Sequence, residues 1–201
     1  SENRTIRIDR TFPVVAVTQL NLSAVVNNSY FKTQNLVINY SFTDLYKNTC
    51  NLYINNTLNS TSTTISNNFT FAPAADGIFI AKVGCNDTAG NFVNSSSEYW
   101  FTLDTIIPSL SAFGNKSVSG SSNRRFFNFS ANEAVNATLF YGTTVEVTSI
   151  ANNNSFHTIV NFTIDGFEEN TIYYWNITAC DRAGNCNTSG IINGQFVFTF
   201  P

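Results

Sequence analysis

The chain has 201 residues and a net charge of −3, with 43% hydrophobic and only 11% charged residues. This length suits one large domain or two ordinary ones with packed cores. The charge balance excludes a generic electrostatic nucleic-acid binder, which needs a basic face. No apolar run approaches the length of a membrane helix, and there is no signal peptide and no methionine, so we expect a mature or excised segment.

Short β-strands are predicted along the first half of the chain, because runs with apolar alternation recur about every 10 to 15 residues between turn-forming residues. An alternating stretch, Thr5–Asp9, leads to Pro13. The strands predicted after it are Val14–Leu20, Leu36–Phe42, Cys50–Ile54, Ile65–Phe71, Ile78–Cys85 and Tyr99–Leu103. The Asn/Ser/Thr-rich tract 55–68 is predicted to be a loop.

The second half of the chain shows the same kind of pattern. Its predicted strands are Ser109–Phe113, Arg125–Ala131, Ala137–Tyr141, Val145–Thr148, Phe156–Ile164, Thr171–Cys180 and Ile191–Phe200, with loops at 114–123 and 152–155. No window keeps a helical period. Six or seven short strands in each half predict an all-β fold made of two tandem antiparallel β-sandwiches.

Two sequence markers recur at almost the same spacing. The stretch Asp87–Asn91 (Asp-Thr-Ala-Gly-Asn) returns 94 residues later as Asp181–Asn185 (Asp-Arg-Ala-Gly-Asn). An Asp-x-x-x-Pro stretch occurs at Asp9–Pro13 and again at Asp104–Pro108. Asp, Asn and Gly in this order favour a tight turn. The markers predict domains at 13–104 and 105–201, joined by a stiff linker, with 1–12 as a linker or an N-terminal strand.

Four cysteines favour an oxidising compartment. They allow three pairings. We expect Cys50–Cys85 and Cys180–Cys186, because each bridge then stays inside its own half. A zinc site is the alternative, but Cys180 and Cys186 lack a second ligand pair nearby and the sequence has a single histidine.

N-glycosylation is predicted from an excess of Asn-x-Ser/Thr sequons. The chain has 30 Asn, 20 Ser and 24 Thr, from which chance gives about 6 or 7 sequons. Sixteen are present, at Asn3, Asn21, Asn27, Asn39, Asn55, Asn59, Asn68, Asn86, Asn94, Asn115, Asn128, Asn136, Asn153, Asn161, Asn176 and Asn187. Glycans on them would supply the hydration that the few charged residues do not.

Five sequons fall inside predicted strands, at Asn39, Asn68, Asn128, Asn161 and Asn176. Residues i and i+2 of a strand share one face. The acceptor asparagine and its Ser or Thr are therefore expected to face solvent, while the apolar residue between them faces the core.

The segment Thr171-x-Tyr173-x-Trp175-x-Ile177-x-Ala179, with Phe167 upstream, resembles the sixth strand of a fibronectin type III domain. The resemblance implies a tyrosine corner, in which the Tyr173 hydroxyl bonds the backbone upstream. The first half has Asp76–Phe79 in that place, so this hydrogen bond is not expected there. The two markers also resemble the turns and boundaries of Ig-like repeats in bacterial and archaeal cell-surface proteins.

The sequence offers no convergent catalytic set, so we do not expect an enzyme. The lone His157 has Ser155 two residues away, which in an extended chain is adjacent on one face and not opposite it, and we interpret His157 as a surface residue. Asp87, Asp104 and Asp181 are weak calcium candidates at strand ends, whose alternative role is to cap turns. Trp100 and Trp175 could form a sugar platform, but apolar alternation favours core packing for both.

These features favour a structural role as a glycosylated building block of a cell-surface or extracellular assembly such as a filament, stalk or surface layer, with copies of itself or neighbouring repeats as partners. The N-terminal strand could add to a sheet edge of a neighbouring subunit and build a polymer. An adhesion or carbohydrate-binding module with a glycan ligand is the second hypothesis, and an enzyme accessory domain is the third. N-linked glycans are the expected additions, and no cofactor is expected apart from the weak calcium candidates.

Overall fold

The computed structural model describes residues 8–21, 23–24, 26–63, 66–121, 123–187 and 194–197. These residues form sixteen β-strands in two compact units that divide after Thr105. Both units are β-sandwiches, which confirms the predicted all-β fold. The described residues contain no helix of the length and apolarity that crossing a membrane requires.

Unit 1 consists of ten strands in two sheets. They are β1 (Val14–Leu20), β2 (Ser23–Ala24), β3 (Ser29–Phe31), β4 (Leu36–Thr43), β5 (Lys47–Ile54), β6 (Thr57–Ser62), β7 (Asn68–Phe71), β8 (Gly77–Asp87), β9 (Phe92–Asn94) and β10 (Tyr99–Leu103). One sheet has the order β2-β1-β4-β7, and the other has β3-β10-β8-β5-β6 with β9 on β8. Strand β10 runs parallel to β3 and antiparallel to β8.

The core of unit 1 follows from strict alternation along its strands. In β4 the side chains of Leu36, Ile38, Tyr40 and Phe42 are buried and those between them are not. A period of two places all four on one face of the sheet. Aromatic rings from both sheets fill the centre, as in the edge-to-face contact of Phe71 with rings of β8 and β10.

Unit 2 contains six strands, two of them long. They are β11 (Leu110–Ser117), β12 (Arg125–Gly142), β13 (Ser149–Ile164), β14 (Ile172–Cys180), β15 (Cys186–Asn187) and β16 (Gly194–Val197). The first part of β12 pairs with β11 and with the end of β13, and its second part pairs with the start of β13 and with β14. The β12–β13 register shifts between Ser130 and Ala137. One bent hairpin therefore contributes to both layers, as strands that change sheets do at irregularities.

The core of unit 2 is built around Trp175, which is buried on β14. Its ring makes a T-shaped contact with Phe127 of β12, at 5.4 Å between centroids. Phe113 of β11 stacks on Phe129, and Phe167 lies edge-on against Tyr173. Strand β14 alternates inward and outward residues along its whole length.

Four local predictions were wrong. Residues 145–148 form a turn between β12 and β13 instead of a strand, with the Val147 N–H bonded to the Thr144 carbonyl. The predicted loop 55–68 contains β6, the predicted loop 152–155 lies inside β13, and the predicted loop at 114–123 begins with the last four residues of β11. The last three errors concern polar stretches of the edge strands β6, β13 and β11, in which backbone pairing decides the structure and the side chains carry little apolar signal.

Candidate functional site

The repeated Asp-x-Ala-Gly-Asn turn closes on itself through its aspartate. In unit 1 it follows β8, and Asp87 is fully buried. Asp87 Oδ1 accepts the backbone N–H groups of Ala89 and Asn91 at 2.9 Å each, and Oδ2 accepts Nδ2 of Asn91 at 2.7 Å. Gly90 has φ +90°, which glycine adopts without strain.

Asn91 joins this turn to the segment that leads into unit 1, residues 8–13, which we call the leading segment. The second hydrogen of its Nδ2 is shared between the backbone carbonyls of Asp9 at 3.3 Å and Thr11 at 3.2 Å. The leading segment is not part of a strand. A side chain 80 residues further along the chain therefore helps to attach it to the sandwich.

The corresponding turn of unit 2 repeats the two bonds between the aspartate and the asparagine. Asp181 Oδ1 accepts the backbone N–H of Asn185 at 2.9 Å, and Oδ2 accepts its Nδ2 at 2.8 Å. Gly184 has φ +84°. Just beyond the turn, Asn187 Nδ2 donates to the carbonyl of Pro108 at 2.8 Å. Both units thus use an asparagine amide to hold the chain that leads into them.

The environment of Asp87 favours its charged form. Burial raises the pKa of the Asp87 carboxyl, but hydrogen bonds from Asn91 and from the backbone of the turn outweigh burial, and the pKa lies below its usual value. The buried carboxylate is the acceptor on which the turn is assembled.

A cation could be held in unit 1 by one carboxylate oxygen each from Asp9, Asp44 and Asp87, which lie within 4.8 Å of one another. These are oxygen ligands of the kind that calcium binds. Each carboxylate also accepts a local backbone N–H, from Thr11 on Asp9 at 2.9 Å and from Tyr46 on Asp44 at 2.6 Å. Turn geometry alone therefore accounts for their positions. Of the sequence candidates, Asp87 is in this cluster, Asp181 caps the second turn, and Asp104 donates its N–H to the Phe31 carbonyl.

The structure places His157 on the exposed surface of β13. Asp165, the nearest acidic residue in sequence, is paired with Arg124 at 2.6 Å. A cleft of about 650 Å³ in unit 1 is lined by Leu58, Phe71, Ile78, Phe79 and the loop 72–76. Its acidic residue, Asp76, accepts the N–H and hydroxyl of Thr105 at 2.8 and 3.1 Å. Neither place brings a nucleophile and a base together among the described residues.

The two tryptophans have different surroundings. Trp175 is buried, as expected. The core prediction for Trp100 was wrong, because its side chain is 46% exposed on the outer face of β10. In Tyr99–Leu103 the prediction placed the wrong alternate residues in the core. Phe101 and Leu103 point inward, and Trp100 points outward. A one-residue error in register moves every side chain of a strand to the other face.

The cysteines form two disulfides, Cys50–Cys85 and Cys180–Cys186. Each joins directly opposed residues of neighbouring strands, β5 with β8 and β14 with β15. The second bridge encloses the Asp181 turn. The Tyr173 hydroxyl accepts the backbone N–H of Glu168 at 3.0 Å, a tyrosine corner in unit 2.

Fifteen of the sixteen sequon asparagines lie in the described residues, and none of their side chains is buried. Asn3 lies outside them, as do residues 1–7 of the predicted N-terminal strand and most of the predicted strand Ile191–Phe200. In the five strand sequons the middle residue is buried in every case, at Tyr40, Phe69, Phe129, Phe162 and Ile177. The acceptor asparagines therefore face away from the core.

No protein-family model matches the chain, and no curated protein sequence matches it. Solved structures do match it. The fibronectin(III)-like modules of CbhA from Clostridium thermocellum share 12% identity over 90% of this chain and 94% of theirs, with a TM-score of 0.50.

Two multidomain structures match as well. The chicken CNTN1 FN1–FN3 domains share 13% identity over 98% of this chain and 69% of theirs, at a TM-score of 0.50. Domains A168–A170 of titin share 10% identity over 94% of this chain and 66% of theirs, at a TM-score of 0.57. At such identities the likeness concerns the fold alone, and the fold is that of fibronectin III-like and Ig-like β-sandwiches.

Proposed function

We propose that the chain is a structural, N-glycosylated building block of an extracellular assembly such as a filament, stalk or surface layer. The observation that carries this proposal is the attachment of the leading segment by Asn91. Tension along a chain of such units enters through the leading segment and passes through the Asn91 amide to the buried Asp87 turn and the sheet behind it. The disulfides of both units suit the oxidising exterior of a cell.

The assembly is proposed to grow by addition of the N-terminal strand to a neighbouring copy. The alternating stretch Thr5–Asp9 lies mostly outside the described residues, but its last apolar residue, Ile8, is 75% exposed, and Phe12 in the leading segment is 61% exposed. Asn91 fixes the base of this stretch at Asp9 and Thr11. We propose that this alternating stretch, held at its base, pairs as an added strand with the open edge of another sheet.

Electron microscopy of native material tests this proposal, with regular polymers as the expected result. Removal of residues 1–7 should abolish polymers while leaving the Asn91 bonds and the folded units intact. A variant with Ile8→Ala alone should weaken assembly, and Asn154→Ala, at an exposed position of β13, serves as a control. Polymers that form normally without residues 1–7 would contradict strand addition, and discrete monomers in native material would contradict the structural role.

An adhesion or carbohydrate-binding module is the second candidate, and exposed Trp100 is the observation that favours it. An exposed indole face can stack on a sugar ring. Monomers that bind a glycan array through Trp100, with binding lost in Trp100→Ala, would support this function in place of the structural one. The structural proposal includes a surface glycoprotein of the archaeal kind. This part rests on the resemblance of the Asp-x-Ala-Gly-Asn turns and the Asp-x-x-x-Pro boundaries to those of such proteins.

A further inference from the structure

The outer face of β3, β10 and β8 carries three large exposed side chains. Tyr30 is 39%, Trp100 46% and Ile78 65% exposed. Thr102 pairs with Tyr30 on one side and with Ile78 on the other, and Trp100 lies two residues before Thr102 on the same face. We call Tyr30, Trp100 and Ile78 the apolar strip. Large apolar side chains grouped on one face of a charge-poor surface are typical of a face that is covered.

Two sequon asparagines border the strip from opposite sides. Asn27 Oδ1 accepts the backbone N–H of Trp100 at 3.1 Å, and Asn55 Oδ1 accepts that of Ile80 at 2.8 Å. Trp100 and Ile80 are themselves directly paired across β10 and β8. Along this row the order is therefore Asn27, Trp100, Ile80, Asn55, with a glycosylation acceptor at each end.

The direction of these hydrogen bonds bears on glycosylation. A backbone N–H can be accepted only by the amide oxygen, so the bond also fixes where the amide nitrogen lies. An N-glycan is attached to that nitrogen. Asn27 therefore keeps its bond to Trp100 when Nδ2 carries a sugar. Asn39 and Asn187 differ from Asn27 in that the nitrogen itself is engaged. Nδ2 of Asn39 donates to Gln19 Oε1 at 3.0 Å, and Nδ2 of Asn187 donates to the Pro108 carbonyl at 2.8 Å.

We propose that the N-glycan on Asn27 lies over the apolar strip, with its first sugar residues against the indole of Trp100. This inference rests on the proposed N-glycosylation and assigns a specific position and role to one glycan. Asn27 Nδ2 exchanges one hydrogen for the bond to sugar C1, and the sugar leaves an activated sugar-phosphate donor, which takes the proton. The C–H groups of a pyranose ring carry partial positive charge and meet the negative face of the indole. The glycan on Asn55 borders the same face from the β5 side.

The test uses protein made in a host that glycosylates sequons, with site occupancy measured by glycopeptide mass spectrometry. Quenching of tryptophan fluorescence by acrylamide then reports on Trp100, because Trp175 is 3% exposed. Asn27→Asp removes the glycan and keeps an oxygen that accepts the Trp100 N–H. We expect its quenching constant to rise about twofold over that of the glycosylated wild type, since an exposed ring is uncovered. Ser29→Ala, which removes the sequon and keeps Asn27, should give the same rise if Asn27→Asp does not fold.

The control is Asn161→Asp, which removes an exposed sequon asparagine of β13 in unit 2 and should leave the quenching constant unchanged. An occupied Asn27 with equal quenching in wild type and Asn27→Asp would overturn the covering role and leave the glycosylated structural function intact. An unoccupied Asn27 among other occupied sequons would overturn the assignment in the same way. No occupied sequon in material from the native source would instead contradict the glycosylation on which the inference rests.

Discussion

Asp87 holds Asn91 with both of its carboxylate oxygens, one on the backbone N–H at 2.9 Å and the other on the side-chain Nδ2 at 2.7 Å. Held in this way, the Asn91 amide directs its other N–H toward the backbone carbonyls of the leading segment. The aspartate therefore sets the orientation of the asparagine, and the asparagine attaches the chain that leads into the unit.

Loss of the Asn91 amide should loosen the leading segment. Asn91→Ala leaves the carbonyls of Asp9 and Thr11 without their donor, and we expect about 1–3 kcal/mol less unfolding free energy for unit 1. Arg10 lies between the two carbonyls and is exposed, so trypsin should cut after Arg10 faster in this variant. Urea unfolding and timed proteolysis measure both effects, with Asn154→Ala as the control. Equal cleavage rates would show that other contacts hold the segment.

The stability of unit 1 should depend on pH through Asp87. Its pKa is depressed in the folded state, so the carboxylate stabilises the fold above the unfolded pKa of about 3.9 and this contribution is lost as pH falls further. The amide of Asp87→Asn does not titrate, so the stability of this variant lacks the contribution of the carboxylate at every pH. Urea unfolding midpoints measured from pH 7 to pH 3 should therefore differ most at pH 7 and approach each other at pH 3.

Asp165→Asn is the matched control for that measurement. A hydrogen bond from Arg124 also lowers the pKa of Asp165, but the pair is exposed and should contribute little. A wild-type profile for unit 1 that is parallel to that of Asp87→Asn down to pH 3 would contradict the assigned role of Asp87.

The tyrosine corner should stabilise unit 2 by a single hydrogen bond. Tyr173→Phe leaves the buried ring in place and removes the acceptor of the Glu168 N–H, which should cost about 1 kcal/mol. Fluorescence of the buried Trp175 follows unfolding of unit 2. Tyr174→Phe, a half-buried neighbour on the same strand, should cost less, and an equal loss in both variants would argue against the corner.

The two disulfides should differ in their protection from reductants and in their contribution to the free energy of unfolding. Cys50 and Cys85 are fully buried, whereas Cys180 and Cys186 are partly exposed. A mild reductant followed by thiol labelling and mass spectrometry should therefore open Cys180–Cys186 first. Sequence separations of 35 and 6 residues predict stabilisation of about 4 and about 2 kcal/mol from loop closure. Earlier labelling of Cys50 would contradict the assigned order.

Calcium should have little effect on unit 1, because hydrogen bonds already place Asp9, Asp44 and Asp87. We expect addition of calcium or of a chelator to shift the melting temperature of unit 1 by less than about 1 °C. A shift that increases with calcium concentration and disappears in Asp44→Asn would identify the three carboxylates as a cation site.

The sequence predicted the class of fold because its strongest signals are local. Alternation in stretches such as Leu36–Phe42 and the glycine of each repeated turn follow directly from strand and turn geometry. Strand β6 could not be predicted in this way, since its side chains are polar and exposed and it is held by pairing with β5.

The candidate site was predicted only in part. The turn was found from its repeat, but the bond from Asn91 to Thr11 joins residues 80 positions apart and has no local signal. Trp100 was misassigned because a five-residue alternating strand between Tyr99 and Leu103 does not by itself tell which face is buried.

The bent β12–β13 hairpin suggests an order of folding for the two units. Its strands are joined by only the six residues 143–148, so closing it costs little loop entropy, and one local event starts both layers of unit 2. Unit 1 must instead bring β3 to β10 from positions 29–31 and 101–103. In refolding experiments, native fluorescence from Trp175 should therefore return before completion of the unit 1 sheet that contains β3, β10 and the Cys50–Cys85 disulfide.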